Sequence, residues 1–225
     1  MSPHFVQSSD KITILGGGAV DRAMLSRALA LAPRLVAADG GADTALSAGL
    51  MPDAVIGDFD SISEAARQAI PEARQHRVRE QDSTDFEKAL RAVSAPLIVG
   101  LGFLGPRFDH ALAALNALAR HPDRRCVLIG ERDVCFLCPP SLALTLPLGL
   151  RFSLFPLARV TGRSEGLRWP IAGIDFGPSG RVGTSNEVTG PVRLSMDGPG
   201  MAVILPERSF EAVAEALMAA GAGGG

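Results

Sequence analysis

Short apolar runs alternate with helix-like stretches over the N-terminal part of the chain. The apolar runs are bounded by glycine, proline or charged residues, and they predict strands at residues 11–15, 34–38, 54–56, 76–79, 96–100 and 126–129. Apolar residues at helical spacing predict helices at about 20–31, 63–70, 84–93 and 110–120. Strands that alternate with helices are typical of a parallel α/β sheet. We therefore predict an open, mostly parallel α/β domain over residues 1–132.

The pattern changes near residue 133. From there to residue 205 no helical pattern occurs, and short apolar or alternating runs appear instead at 142–146, 150–157 and 201–205. Runs of this kind, broken by glycine and proline, predict an all-β region, a sandwich or partial barrel. A short closing helix is expected from Ser209 onwards. The predicted fold class is therefore α/β, with a smaller all-β, sandwich-like domain at 133–225 that ends in a short C-terminal helix.

The composition excludes several classes of partner. A formal net charge of −2 offers no basic field for a nucleic-acid backbone. No window of about eighteen residues is free of charges and helix breakers, and the first ten residues lack the features of a secretory signal. The cysteines, Cys126, Cys135 and Cys138, are odd in number and lie on apolar stretches, which favours reduced thiols. We therefore expect a cytoplasmic protein with no nucleic-acid and no membrane partner.

Acidic residues follow the predicted strands at the points where helices begin. Asp58 and Asp60 leave one strand two residues apart, after Gly57 lets the backbone turn. Ligands bind beyond the carboxyl ends of the strands in an open parallel sheet. We therefore expect the following charged residues to gather along one edge: Asp39, Asp58, Asp60, Asp82, Asp85, Arg107 and Asp109.

Several carboxylates at one edge repel one another unless a divalent cation neutralises them. Oxygen ligands suit Mg²⁺ or Mn²⁺, and the chain has no Cys/His ligand set for zinc. A glycine-rich loop and the fork-shaped guanidinium of Arg107 suit the phosphate oxygens of a nucleotide. The pattern therefore indicates a magnesium-dependent site for a nucleotide polyphosphate.

Structural roles compete with these functional ones. Residues 60–63 could only turn the chain and cap the next helix, Asp82 could be a helix cap, and Asp85 could stabilise a helix through its dipole. The glycines at 16–18 fit neither of the common phosphate-loop patterns and favour a tight turn from strand to helix. His110 is either a satisfied polar residue or a contact to substrate.

Four motifs occur along the chain: ADGGAD at 38–43, IGDFDSI at 56–62, DSTDFEKAL at 82–90 and GPRFDH at 105–110. The β region adds GLRW at 166–169 and TSNE at 184–187. In this order, the motifs resemble those of the thiamine pyrophosphokinase family, and the last two resemble its thiamine-side motifs. The resemblance spans nearly the whole chain, although Ser83 stands where many members carry a basic residue.

The resemblance implies transfer of the pyrophosphoryl group of ATP to the thiamine hydroxyl, giving thiamine diphosphate and AMP. It also implies Mg²⁺ as cofactor, ATP as co-substrate, and a homodimer with its active site at the subunit interface. The metal ligands it implies are Asp58, Asp60 and Asp85, and Asp82 completes the catalytic set. The nucleotide-binding residues it implies are Asp39, Gly40, Arg107, Asp109 and His110. The thiamine-binding residues it implies are Trp169, Ser185 and Asn186.

Two other functions stay open from the residues alone. One is a pyrophosphokinase for another hydroxymethyl acceptor such as a pterin, and the other is a non-catalytic nucleotide or metal sensor. Asp82 or Asp85 could accept the proton of the acceptor hydroxyl, so the base is unassigned. Trp169, the only tryptophan in a chain without tyrosine, is either an aromatic face for a thiazolium or pyrimidine ring or a core residue.

Overall fold

The computed structural model describes residues 5–222 of the 225 in the chain. These residues divide into two compact units, the first with residues 5–117 and Leu128–Glu131, the second with Leu118–Val127 and residues 132–222. No helix within the described range has the length and apolar character needed to cross a membrane. The assignment of separate functions to residues 1–132 and 133–225 stays a prediction.

A parallel sheet forms the centre of the first unit, as the alternating pattern predicts. Up to residue 129 the strands are β1 (Val6–Gln7), β2 (Ile12–Leu15), β3 (Arg34–Ala38), β4 (Ala54–Gly57), β5 (Gln75–Arg77), β6 (Val93–Ser94), β7 (Ile98–Leu101) and β8 (Cys126–Ile129). The order β7-β2-β3-β4-β5 runs across the sheet with every neighbouring pair parallel, while β1 pairs with β6. β2, β4 and β7 are buried along their whole length, as expected for strands covered on both faces. The mostly parallel α/β fold is therefore confirmed.

Helices follow the strands at positions that capping residues set. They are α1 (Arg22–Leu31), α2 (Gly41–Ser47), α3 (Glu64–Ala69), α4 (Asp85–Ala92), α5 (Phe108–Arg120) and α6 (Phe210–Ala222). Ser63 caps α3 by accepting from the Ala66 N–H (3.1 Å), and Thr84 caps α4 by accepting from the Glu87 N–H (3.3 Å). The Thr-x-x-Glu spacing therefore marks a helix start, as predicted.

The sequence pattern misses α2. This helix begins with glycine, a poor helix former, and it is too short to show an apolar stripe. It packs against β3 and β2 with Ala42 and Ala45 buried. The approach is possible because Gly41 has no side chain: a Cβ there would lie 1.9 Å from the backbone oxygen of Leu15. Tertiary packing thus overrides weak local propensity.

Antiparallel strands form the second unit, in agreement with the predicted change of pattern. They are β9 (Asp133–Leu137), β10 (Ser141–Leu144), β11 (Arg151–Pro156), β12 (Gly162–Leu167), β13 (Thr184–Met196) and β14 (Met201–Pro206). The first residues of β13 pair with β11, and its later residues pair with β10 and β12. A strand that changes partners in this way is typical of packed β-sheets. That this unit is a complete sandwich stays a prediction.

The three cysteines are buried and unbridged. Burial raises the pKa of each thiol above its ordinary value. A neutral, buried thiol is neither a metal ligand nor a nucleophile. The CxxC spacing of Cys135 and Cys138 therefore belongs to the core, as the sequence pattern favours.

Candidate functional site

A cavity of about 700 Å³ opens in the first unit where the strands of the parallel sheet end. Its wall combines the segments that follow β2, β3, β4 and β7 with residues that precede or begin α4 and α5. Charged residues in the wall include Asp58, Asp85, Lys88 and Arg107. These side chains therefore meet beyond the carboxyl ends of the strands, which is where a parallel sheet is expected to bind its ligand.

Asp39 occupies the turn between β3 and α2 in a left-handed backbone conformation, with φ at 42°. Few residues other than glycine adopt this conformation, and such positions cluster at functional sites. The buried carboxylate accepts hydrogen bonds from the backbone N–H groups of Ser61 and Ile62 (3.3 and 3.2 Å). A Cβ at Gly57 would lie 2.8 Å from the Cβ of Asp39. Gly57 is therefore needed for the position of Asp39.

The turn after β4 brings two further carboxylates to the same place. Phe59, between them, is also left-handed (φ 68°), and the Asp60 N–H donates to Asp58 Oδ1 (3.3 Å). Carboxylate oxygens of Asp39, Asp58 and Asp60 lie within 4.8 Å of one another, with only Asp60 exposed. Within residues 5–222, no other set of three or more acidic, histidine or cysteine side chains is close enough to hold a metal ion. We call these three residues the carboxylate cluster.

A buried lysine lines the cavity beside this cluster, and the sequence pattern did not single it out. Lys88 is 3% exposed, and its Nζ donates to Asp58 Oδ2 (2.6 Å) and to Asp85 Oδ1 (3.2 Å). Gln81 Nε2 also donates to Asp58 Oδ2 (3.4 Å). A sequence signal was available, because Lys88 is one of two lysines in the chain and follows Asp85 by one helical turn.

The environment separates the pKa values of these groups. Burial and the charge of Asp85 raise the pKa of Asp39 to about 6. The hydrogen bond from Lys88 holds the pKa of Asp58 below its ordinary value, whereas burial raises the pKa of Asp85. Burial opposes the charge of Lys88, but the bonds to Asp58 and Asp85 outweigh it and raise its pKa. The raised pKa of Asp39 comes mainly from its burial, to which the charge of Asp85 adds, and the oxygen ligands of the carboxylate cluster fit Mg²⁺ or Mn²⁺.

Without divalent cations, Asp39 is expected to make the folded chain less stable at pH 7.5 than at pH 5. Its folded pKa of about 6 lies above the unfolded value of 3.8, so the folded state binds the proton more tightly. This stability is complete below about pH 3.8 and is lost as the pH rises through about 6. Because pH 5 lies one unit below the folded pKa, we expect a loss of roughly 1–1.5 kcal/mol between the two pH values. Melting temperatures in EDTA at the two pH values measure it.

The matched variant is Asp39→Asn, which cannot titrate. Because Asn accepts fewer hydrogen bonds from the backbone than a carboxylate, the informative quantity is the change in melting temperature between the two pH values. That change should be smaller in the variant than in the parent. Excess Mg²⁺ at pH 7.5 should also stabilise the parent more than the variant. Equal pH slopes in the two proteins would contradict the assignment.

The capping alternatives for the acidic residues can now be judged. Ser63 caps α3 and Thr84 caps α4, so neither Asp60 nor Asp82 is needed as a cap. Asp85 lies in the first turn of α4, where the helix dipole favours it, and its carboxylate also bonds Lys88. Asp82 is exposed. The catalytic roles of Asp82 and Asp85 stay predictions.

The residues expected to hold a nucleotide are not all in one place. Gly40, Arg107 and His110 line the cavity. Asp109 is exposed and accepts from Arg107, whose Nε lies 3.2 Å from Asp109 Oδ1. Part of the guanidinium fork expected to meet phosphate is therefore engaged by Asp109. The nucleotide contacts of these residues stay predictions.

The glycine run after β2 is packed tightly, as expected for a turn, and it also lines the cavity. A Cβ at Gly18 would lie 2.4 Å from the backbone oxygen of Gly102, and one at Gly17 would lie 3.4 Å from the Gly40 backbone. The loops after β2, β3 and β7 therefore pack through backbone atoms. The sequence pattern predicted the turn and missed its place in the cavity wall.

A second cavity, of about 480 Å³, lies within the second unit and is lined in part by Trp169 and Ser185. Trp169 is 52% exposed, with the guanidinium of Arg168 at 5.1 Å from the ring centroid, so it is not a core residue. Asn186 is buried: its Oδ1 accepts from the Trp169 N–H (3.0 Å), and its Nδ2 donates to the Trp169 carbonyl (2.6 Å). Asn186 therefore fixes the Trp169 backbone, and its contact with thiamine stays a prediction.

Open, mostly parallel α/β sheets bind their ligands beyond the carboxyl ends of the strands, which is where this glycine-rich, carboxylate-lined cavity lies. Residues 25–129 match the family model described as "Thiamin pyrophosphokinase, catalytic domain". The matched range contains all four motifs of the α/β part of the chain. The resemblance to thiamine pyrophosphokinase is therefore confirmed.

Curated relatives carry the same name. The chain is 28% identical over 161 residues to thiamine pyrophosphokinase 1 of Arabidopsis thaliana, and the match covers 61% of this chain and 58% of that relative. It is 29% identical over 156 residues to thiamine pyrophosphokinase 1 of Oryza sativa subsp. japonica, and the match covers 61% of this chain and 59% of that relative. The chain thus spans less than two thirds of the length of these relatives.

Solved structures share the fold. Thiamin pyrophosphokinase from Geobacillus thermodenitrificans superposes with a TM-score of 0.71 at 24% identity, covering 87% of this chain and 96% of that one. The enzyme from Candida albicans superposes with a TM-score of 0.72 at 17% identity, covering 92% and 94%. At these identities the likeness establishes the fold.

Proposed function

We propose that this chain catalyses the Mg²⁺-dependent transfer of the pyrophosphoryl group of ATP to the hydroxyl of thiamine. The observation that carries the proposal is the carboxylate cluster, whose Asp58 bonds Lys88 and lines, with Lys88, the glycine-walled cavity at the strand ends. The matched catalytic-domain model covers this part of the chain. The number of acidic residues at this edge of the sheet favours catalysis over sensing.

In the proposed reaction, the oxygen of the thiamine hydroxyl bonds to the β-phosphorus of ATP. The bond from that phosphorus to the α–β bridging oxygen breaks, AMP leaves with the oxygen, and the hydroxyl proton passes to a base. Mg²⁺ would be held by the carboxylate cluster, with Asp85 added by the resemblance, and when bound it neutralises charge on the polyphosphate oxygens. The chain's own residues orient the nucleotide, and the base stays unassigned between Asp82 and Asp85.

Identification of the products tests this proposal directly. The purified chain is incubated with ATP, Mg²⁺ and thiamine, and the products are identified by mass. We expect AMP and thiamine diphosphate in equal amounts, and neither when thiamine or Mg²⁺ is omitted. Formation of ADP alone, or no turnover at any thiamine concentration, would overturn the proposal.

Two observations favour thiamine as the acceptor of the pyrophosphoryl group. Both curated relatives described above are thiamine pyrophosphokinases, and Trp169 offers an exposed aromatic face. A hydroxymethyl-pterin has a similar alcohol but no cationic thiazolium for the ring to stack on. A competition assay with both acceptors decides between them, and preference for the pterin would change the assignment.

Changing Trp169 to Ala is expected to raise the KM for thiamine by about tenfold, equivalent to about 1.4 kcal/mol. The KM for ATP should change little, because Trp169 is not among the residues that line the cavity beside Asp58 and Lys88. Steady-state kinetics with each substrate varied in turn measure the effect.

Trp169→Phe is the matched control, because it keeps an aromatic face at the same position. It should restore most of the affinity for thiamine. If Ala and Phe raise the KM equally, or if the KM for ATP rises as much as that for thiamine, the stacking role is wrong.

We also propose that the protein is a cytoplasmic homodimer. The resemblance supports a dimer, and large apolar side chains of the second unit are open to solvent, among them Leu148 (74% exposed) and Val182 (48% exposed), so they are available for contact with a second copy. The three unbridged cysteines favour a reducing compartment. Light scattering tests the assembly, and the mass of a single chain would contradict it.

A further inference from the structure

Lys88 is the only charged nitrogen so deeply buried in the cavity wall of the first unit, and its position is imposed by its helix. Its backbone N–H donates to the Thr84 carbonyl (2.9 Å) in the first turn of α4, and its side chain is 2% exposed. A buried ammonium needs anionic partners, and it has them in Asp58 and Asp85. The ammonium group of Lys88 therefore lies at a site that also fits a metal ion.

Lys88 and a divalent cation held by the carboxylate cluster would share one carboxylate. Asp58 accepts from Lys88 through Oδ2, and it also offers an oxygen to the carboxylate cluster. The distance from Nζ to Oδ2 is 2.6 Å, so a cation held by the same carboxylate would lie on the order of 5 Å from a fixed positive charge. Like charges at this range repel strongly inside a protein, where water screens them poorly.

We propose that Lys88 is a built-in counter-ion that weakens the binding of a free divalent cation and reserves the site for a cation that arrives with a nucleotide polyphosphate. A free cation is repelled by Lys88. A cation that carries phosphates brings negative charge, to which Lys88 is attracted. Lys88 is thereby a specificity-determining residue that favours the metal–nucleotide complex over the metal alone. The inference rests on the metal site in the proposed function.

A purely structural role for Lys88 predicts the opposite effect. If the lysine only ties α4 to the end of β4, its loss would loosen Asp58 and weaken metal binding. If it is a counter-ion, its loss exposes more negative charge to the metal and strengthens binding. The direction of the change in metal affinity therefore separates the two roles without any measurement of turnover.

The experiment measures Mn²⁺ binding to the full chain by electron paramagnetic resonance, with and without ATP and with no thiamine present. The variants are Lys88→Met, a neutral side chain of similar length, and Lys88→Arg, which keeps the charge. Without ATP, we expect Lys88→Met to bind Mn²⁺ at least about tenfold more tightly than the parent, and Lys88→Arg to stay within about threefold. With ATP, the advantage of Lys88→Met should shrink about tenfold or vanish.

Melting temperatures in EDTA establish that each variant is folded, and Lys88→Gln takes the place of Lys88→Met if that variant is not. Equal or weaker Mn²⁺ binding by the folded neutral variant would overturn the inference. The inference would also be overturned if Lys88→Arg bound Mn²⁺ as tightly as Lys88→Met does, because the loss of the charge would then not be the cause. Absence of Mn²⁺ binding by the parent, even with ATP, would instead refute the metal site of the proposed function, and the inference with it.

Discussion

Changing Asp58 to Asn is expected to lower the rate of the proposed thiamine-dependent AMP formation by about 10³-fold, equivalent to about 4 kcal/mol of transition-state stabilisation. Asp58 accepts from three donors, which are Lys88 Nζ, the Asp60 N–H and Gln81 Nε2. An Asn amide has one oxygen and one NH₂ group, so in either orientation a donor meets a donor. The variant therefore loses both the negative charge and the fixed orientation of the group.

Steady-state assays of AMP release measure this effect, and circular dichroism shows whether the variant is folded. Asp123→Asn is the control, because it removes an exposed carboxylate whose partner is Arg124, and it should leave the rate within about twofold. A folded Asp58→Asn protein that keeps more than about a tenth of the parent rate would exclude Asp58 from the reaction centre. If the protein is a sensor, the parent itself releases no AMP.

Changing Gly41 to Ala should destabilise the chain by about 3 kcal/mol or more, which lowers the melting temperature by roughly 6–12 °C. The sign is informative, since alanine is the better helix former and would stabilise an unconstrained helix. The new Cβ would lie 1.9 Å from the Leu15 oxygen and 2.7 Å from the Leu15 carbonyl carbon, and these backbone atoms cannot rotate away. Either α2 or the end of β2 must move.

Thermal and urea unfolding measure this change in stability. Gly105→Ala is the matched control in the same unit, because a Cβ there meets no atom within 4 Å, and its effect should stay within about 0.5 kcal/mol. A stabilised Gly41→Ala protein would show that α2 does not pack against β2 at this distance. A similar loss of stability in both variants would show that the contact with Leu15 is not its cause, because the lower entropy of alanine in the unfolded chain by itself favours folding.

Much of the fold could be predicted because its signals are local. Apolar runs marked the parallel strands, and the Thr84–Glu87 spacing marked the start of α4. β13 was not predicted as one strand, since Gly190 and Pro191 lie within it and weaken the strand pattern. Its length depends on pairing with three other strands that are distant in sequence. Such non-local contacts leave little trace in a window of neighbouring residues.

The site was predictable where chemistry followed a strand and unpredictable where it depended on a fold-level contact. Asp39, Asp58 and Asp60 stood at strand ends, and the structure brings them together. Lys88 stood inside an apparently ordinary helix, and its bond to Asp58 spans thirty positions of the chain. Asn186 was predicted to contact thiamine, and that contact stays a prediction, but the bonds of its amide to the backbone of Trp169 left no sequence signal.

The two hydrogen bonds between the side chain of Asn186 and the backbone of Trp169 have a practical consequence. Because the side-chain amide of Asn186 holds the main chain there, the exposed indole of Trp169 can be replaced without releasing the backbone. A library of residues at this single position could then be screened for altered choice of alcohol without unravelling the loop that displays it.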